Sequence, residues 1–283
     1  MTKEKQDLVF DIGLNNGDDS AYYLHLGYRV VGVEANPLLA AQCTRRFEND
    51  IKQGRMTVVN VGVLKEPGVF TFHRNLLEDG WSSFEPEKGG KGGDWEELDI
   101  SCVTTLQLIA EHGKPFFMKV DIEGSDLQAL QSLTPPTAPS YVSLELNYDD
   151  PTVETLIGLG YSAFKFVDGE TFRHTPPIFH HQIGWRLLRK AGRLAPFVRS
   201  AVNSLPQRFR ARSEWNPPGK YSPDRYPFTT HSSGPFGEQA DGSWMAPAAA
   251  LRWFGDLKNF YRKDGRESSL WWDVHARHTS ADR

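Results

Sequence analysis

Leu8-Val9-Phe10-Asp11-Ile12-Gly13-Leu14-Asn15-Asn16-Gly17 begins as a short apolar run and ends as a glycine-bearing turn. Asp18 to Gly27 reads as a helix and Val30 to Val33 as a second apolar run, closed by Glu34 and followed by Ala35 and Asn36. Strand, turn, helix, strand, then an acid roughly 20 residues past the turn: this is the order of a nucleotide-binding α/β unit, whose carboxylate accepts from two ribose hydroxyls. The turn is therefore expected to hold an adenosine. A dinucleotide calls for three glycines and a helix N-terminus free to face its pyrophosphate. Only Gly13 and Gly17 are present, and Asp11, Asp18 and Asp19 put negative charge where a pyrophosphate would lie. S-adenosyl-L-methionine carries no phosphate. Asp11 can attract its cationic part while the turn N–H groups meet its carboxylate, so it is the cofactor expected. A nucleotide oxidoreductase is the competing reading, and ordinary turn glycines beside a solvated acid the bland one.

Outward from this unit, strand and helix keep alternating, which favours a parallel sheet. Asn36-Pro37 opens a helix, and Met56 to Val63 is a third apolar run. Gly68 to Phe72 reads as an extra edge strand, and Lys88 to Asp94 as a glycine-rich mobile linker. Thr104 to Glu111 is a helix with threonine caps and Gly113 as its stop. Phe116 to Asp121, Tyr141 to Leu146 and Tyr161 to Val167 follow as strands, with helices at Ser125 to Leu133 and Pro151 to Leu159. A last strand-like run lies far off, at Ser269 to His275. The fold class expected is a mostly parallel, seven-stranded Rossmann-like α/β sheet with helices on both faces and a long insertion between its last two strands.

At 283 residues the chain has enough material for such a domain with a large insertion. A net charge of -4 gives no whole-molecule attraction to nucleic acid, so no DNA partner is expected. Cys43 and Cys102 form no C-x-x-C pair, which argues against a disulfide scaffold or a structural zinc site. A charged N-terminus running straight into the first strand, with no apolar stretch near the roughly 18 residues of a spanning helix, makes a cytoplasmic location the expectation.

Open parallel sheets bind ligands at the carboxyl ends of their strands. Those ends carry Asp11, Glu34, Asn60, Asp121 with Glu123, and Glu145 with Asn147, a series that implies a polar pocket. For methyl transfer to a hydroxyl a base must stand near the incoming oxygen, and Asp121 or Glu123 can serve. In the alternative, Asp121 only positions the cofactor, Glu123 favours the next helix dipole and Asp126 caps that helix. Hard oxygens at Asp121, Glu145 and Asn147 would also suit Mg2+, which is possible but is not the expected reading.

Val9 to Gly17, Val33-Glu34-Ala35-Asn36-Pro37 and Met118 to Asp126 together resemble the FkbM family of S-adenosylmethionine-dependent methyltransferases, over roughly Leu8 to Val167 and Trp271 to His275. Leu14 is a mild departure from that pattern. The resemblance implies a class I methyltransferase acting on hydroxyls of sugars or related natural products. Asp11, Gly13, Asn15, Asn16 and Gly17 would then hold the amino-acid end of the cofactor, and Glu34 with Ala35 its ribose. Asn60 and Val61 would face the adenine, with Asp121 or Glu123 at the reaction centre.

About 100 residues separate Val167 from Ser269. Residues 1–169 are thus read as the core, 170–268 as a cap roofing the site, and 269–283 as the final strand and tail. Trp185 to Lys220 holds nine basic residues against one acid, Glu214. Three readings compete for it: a solvated cap face, a dock for an anionic acceptor, and peripheral membrane contact through 183–205. Tyr221, Tyr226, Phe228, Phe236 and Trp244 either stack on sugar rings or anchor a long loop, and His231, ahead of His174, His180 and His181, is a candidate base. The partner expected is a small-molecule or glycan acceptor. A non-catalytic cofactor-binding module and an RNA methyltransferase are the alternatives.

Overall fold

The structure is a computed structural model that describes residues 4–90, 92–147, 149–169, 171–174, 220–229, 232–264 and 271–282. Its first strand, β1 (Glu4–Ile12), is longer than its apolar run, because only the half from Leu8 on is buried while Lys5 to Asp7 stay exposed. Helix α1 (Asp18–His25) and β2 (Arg29–Val33) follow. α2 (Pro37–Arg46) starts where Asn36 Oδ1 accepts from Leu38 N and Pro37 takes the first turn, and α3 (Glu48–Lys52) leads to β3 (Met56–Val59).

The chain then leaves the main sheet. β4 (Gly62–Val63), β5 (Gly68–Asn75) and β6 (Trp95–Val103) form a separate three-stranded sheet in the order β4-β6-β5. Gly68 to Phe72 is an edge strand as expected, but of this small sheet, where it pairs antiparallel with β6, a strand not expected from the sequence. The Lys88 to Asp94 stretch is not simply a linker, since Pro86–Gly89 makes a helical turn, α4, whose Gly89 packs on His73.

α5 (Thr105–His112) has a complete capping box between Thr104 and Gln107 and stops at Gly113, φ 97°. β7 (Lys114–Val120), α6 (Asp126–Leu130), β8 (Tyr141–Glu145), α7 (Thr152–Gly158) and β9 (Tyr161–Asp168) complete the parallel strands. The last helix described is α8 (Pro247–Asp264), and β10 (Trp272–His278) returns antiparallel between β8 and β9. The main sheet therefore runs β3-β2-β1-β7-β8-β10-β9.

The two faces of this sheet differ. Ile12, Val120, Leu144, Val274 and Phe166 stand in register on one face and pack under α5 to α8. One residue along, Asp11, Lys119, Ser143, His275 and Lys165 form a buried polar row across the same five strands on the other face. Below that row, Val9, Val30, Phe117 and Tyr141 pack with α1 and α2.

The expected cap is only partly within the described residues, and the parts seen do not line the pocket. Phe236 lies flat on Phe117, ring centroids 3.9 Å apart, while Trp253 of α8 stacks on Phe166 at 4.0 Å. The described residues of 232–264 thus touch both faces of the sheet, at β7 through Phe236 and at β9 through Trp253. His180, His181, His231 and the basic segment up to residue 219 lie outside the described residues.

Candidate active site

A cavity of about 340 Å³ opens at the carboxyl ends of β1, β2, β7 and β8 and is walled by Gly62 and Phe72 of the small sheet and by Phe84, which packs on that sheet. That volume suits a cofactor-sized ligand. Asp18, Asp19, Glu34, Glu78, Asp79, Asp121, Glu123 and Glu145 line it. Among the described residues its lining cation is Lys119. A pyrophosphate would meet strong repulsion there.

The turn after β1 is held from inside. Gly13 and Leu14 N–H both donate to Val33 O, Asn15 N–H to Glu34 Oε2 at 2.7 Å, Gly17 N–H to Leu14 O, and Asp18 N–H to Asn16 Oδ1. The expected welcome of a ligand carboxylate by these N–H groups is thus corrected: five of them are already used. Gly13, φ 85°, has no room for a side chain, because a Cβ would overlap the carbonyl oxygen of Asp121. Gly17, also φ 85°, serves packing, with a Cβ falling 2.5 Å from the Phe47 ring. Asn15 and Asn16 do line the cavity, and Arg46 anchors the turn through Asn16 O and Asp18.

Asp11 does not face the cavity. It is fully buried, accepts from Ser20 Oγ at 2.7 Å and lies 3.5 Å from Lys119 Nζ. Burial raises its pKa. The group that reaches the cavity in its place is Lys119, whose Nζ also stands 3.2 Å from Asp19 and 3.3 Å from Asp121. Burial pulls this ammonium down, but Asp121, Asp11 and Asp19 outweigh it and hold it well above its ordinary value. Lys119 lies within the Met118 to Asp126 motif, where nothing local marks it as a cavity residue. Strand register carries the missing signal, because Lys119 pairs with Asp11 across β1 and β7.

Glu34 sits where expected, at the end of β2 and in the cavity wall. Its two oxygens accept from Asn15 N and Asn36 N at 2.7 and 2.8 Å, leaving further lone pairs toward the cavity. Burial pushes its pKa up to about 7. Ala35 and Val61 line the cavity, whereas Asn60 does not and instead donates to Glu34 O and Ala35 O.

Asp121, Glu123 and Glu145 come together, one carboxylate oxygen of each within 4.8 Å of the others. Glu123, φ 50°, is presented by a loop that Asp126 secures by accepting from Ile122 N and Gly124 N. Asp126 therefore folds back on the loop instead of capping its helix. Asn147 Oδ1 accepts from Asp149 N. Burial, then the repulsion of Asp121 and Glu123, raises Glu145 well above the usual carboxylate range.

The aromatic residues of the 220–244 loop do not reach the cavity. Tyr226, Phe228 and Phe236 pack against α1 and β7, Trp244 against Tyr141 of β8, and Tyr221 against Phe172, so they anchor the loop. Trp81, Phe84 and Trp271 line the cavity instead. His174 bonds Phe166 O through Nδ1 and lies outside it.

Strand order, the antiparallel return and a polar pocket at the carboxyl ends define a class I, Rossmann-like methyltransferase domain. The Methyltransferase FkbM domain family matches residues 11–171, more than half of the chain. The chain belongs to this methyltransferase family. No curated protein matches it. Among solved structures, precorrin-6y C5,15-methyltransferase from Geobacter metallireducens GS-15 is 16% identical with a TM-score of 0.31, over 60% of this chain and 72% of that one. No helix among the described residues is long and apolar enough to cross a membrane.

Proposed function

We propose that the chain transfers a methyl group from S-adenosyl-L-methionine to a hydroxyl of a carbohydrate, glycan or related secondary metabolite. The observation that carries the reading is Glu34, a buried carboxylate at the end of β2 with acceptor capacity toward a cavity too acidic for a diphosphate. The residues fit that cofactor. Glu34 takes the ribose hydroxyls, and Lys119 offers an ammonium to the methionine carboxylate while Asp19 faces the amino group. Ala35, Leu39 and Val61 supply an apolar slot for the adenine.

When bound, the cofactor supplies the electrophilic methyl group. The chain's part is to align the acceptor and to take its proton. Asp121 or Glu123 is the base, within reach of one another at the exit of β7. Trp81 and Trp271 line the same cavity and supply aromatic surface of the kind that packs on the apolar face of a sugar.

Calorimetry with S-adenosylhomocysteine and with NAD tests the pocket, and methyl-labelled cofactor with a panel of sugars and glycosides tests the reaction by mass spectrometry. Capture of NAD with indifference to S-adenosylhomocysteine would overturn the proposal.

A further inference from the structure

Beside the proposed cofactor pocket, the carboxylates of Asp121, Glu123 and Glu145 converge from β7, its following loop and β8. Their oxygens lie mutually within 4.8 Å. Ligands bound at about 2.1 to 2.4 Å around one hard cation span no more than this. Clustered acids alone would not make a site, but a fourth carboxylate points to a ligand. Asp273 opposes Glu145 in the β8–β10 ladder, so both side chains leave the same face of the sheet. It is 3% exposed; Trp271 hydrogen-bonds the carboxyl, and its Oδ2 has no hydrogen-bond partner. Asp121 is the charged group that acts on it most strongly. A buried carboxylate oxygen left without a partner is costly. Lys119 attracts the group from a distance but makes its ion pairs with Asp11, Asp19 and Asp121 instead.

We propose that Asp121, Glu123 and Glu145, backed by Asp273, bind one hard divalent cation, Mg2+ or Mn2+, at the acceptor side of the pocket. An all-oxygen donor set selects these ions over zinc or copper. Asn147, the third ligand suggested by sequence, gives way to Glu123. On the methyl-transfer reading, the ion would hold the acceptor hydroxyl and lower its pKa, relieving the carboxylates of acting as a strong base.

The test titrates Mn2+ alone into the full chain, reading free Mn2+ by electron paramagnetic resonance and S-adenosylhomocysteine affinity in parallel. One ion per chain is expected, displaced by excess Mg2+, with E145Q and D273N each weakening binding by at least about tenfold, the lower end of what losing an outer-shell partner costs. Should E145Q not fold, E123Q gives the same readout. No saturable uptake by about 1 mM, the weak end of such protein sites, or undiminished uptake in the variants, overturns the cation site. Loss of S-adenosylhomocysteine binding with Mn2+ uptake intact would count against the cofactor reading alone.

Discussion

Glu34→Gln separates the ribose contact from the rest of the pocket. The native carboxylate is buried, held by the N–H groups of Asn15 and Asn36, and titrates near 7. Ribose hydroxyls donate to it, so cofactor binding selects the ionised form. At pH 6 about a tenth of the chains carry that form and at pH 8 about nine-tenths. S-adenosylhomocysteine should therefore bind about tenfold more weakly at pH 6, about 1.4 kcal/mol. The glutamine variant loses the charge-assisted bond, about 1.5 to 3 kcal/mol, and with it the pH dependence. Stability without ligand moves the other way. Because the folded-state pKa is raised, from 4.5 to about 7, the native protein loses stability as pH climbs through that window, by up to about 3 kcal/mol from this group. Calorimetry between pH 6 and 8 and urea melts between pH 4.5 and 8 read both effects. Native affinity in the variant at pH 8, or a flat native profile, would refute the assignment.

Lys119→Met strands Asp11, Asp19 and Asp121 without their shared cation. Urea melts should show a loss of about 3 to 5 kcal/mol at pH 8. The loss should shrink toward pH 5, since Asp19 takes up its proton at about 6 and burial raises Asp11 as well; a pH-independent loss would deny that the lysine acts through these acids. Phe236→Ala empties the flat stack on Phe117 and should cost about 3 to 5 kcal/mol in thermal or urea melts. S-adenosylhomocysteine affinity should stay within about twofold, because Phe236 lies outside the cavity; unchanged melts would mean the loop does not seal that face.

The opening strand-turn-helix-strand unit was legible because each element carries a local signal: apolar runs, positive-φ glycines, an asparagine cap before Pro37 and a terminal acid. The small sheet was not, although Leu98, Ile100 and Cys102 alternate with exposed neighbours along β6. Flanking acids and the glycine stretch before them disguised that period. The inward face of the site stayed hidden for another reason. Asp11 and Lys119 are 108 residues apart, and only the folded sheet sets them side by side, with the lysine and not the aspartate lining the cavity. Asp273 is the extreme case, since it reaches Glu145 only because the last strand returns between its two predecessors.

That return also decides what may be cut from the molecule. Asp168 and Trp272 face each other in the ladder between β9 and β10, so a few turn residues would suffice to splice the chain there. Such a trimmed chain would nonetheless bare the Phe117 ring on one side and Phe166 on the other, having discarded Phe236 and Trp253. The described part of the excursion up to residue 264 is a buttress packed back onto the scaffold, and deleting it whole would cost the fold without touching the lining of the site.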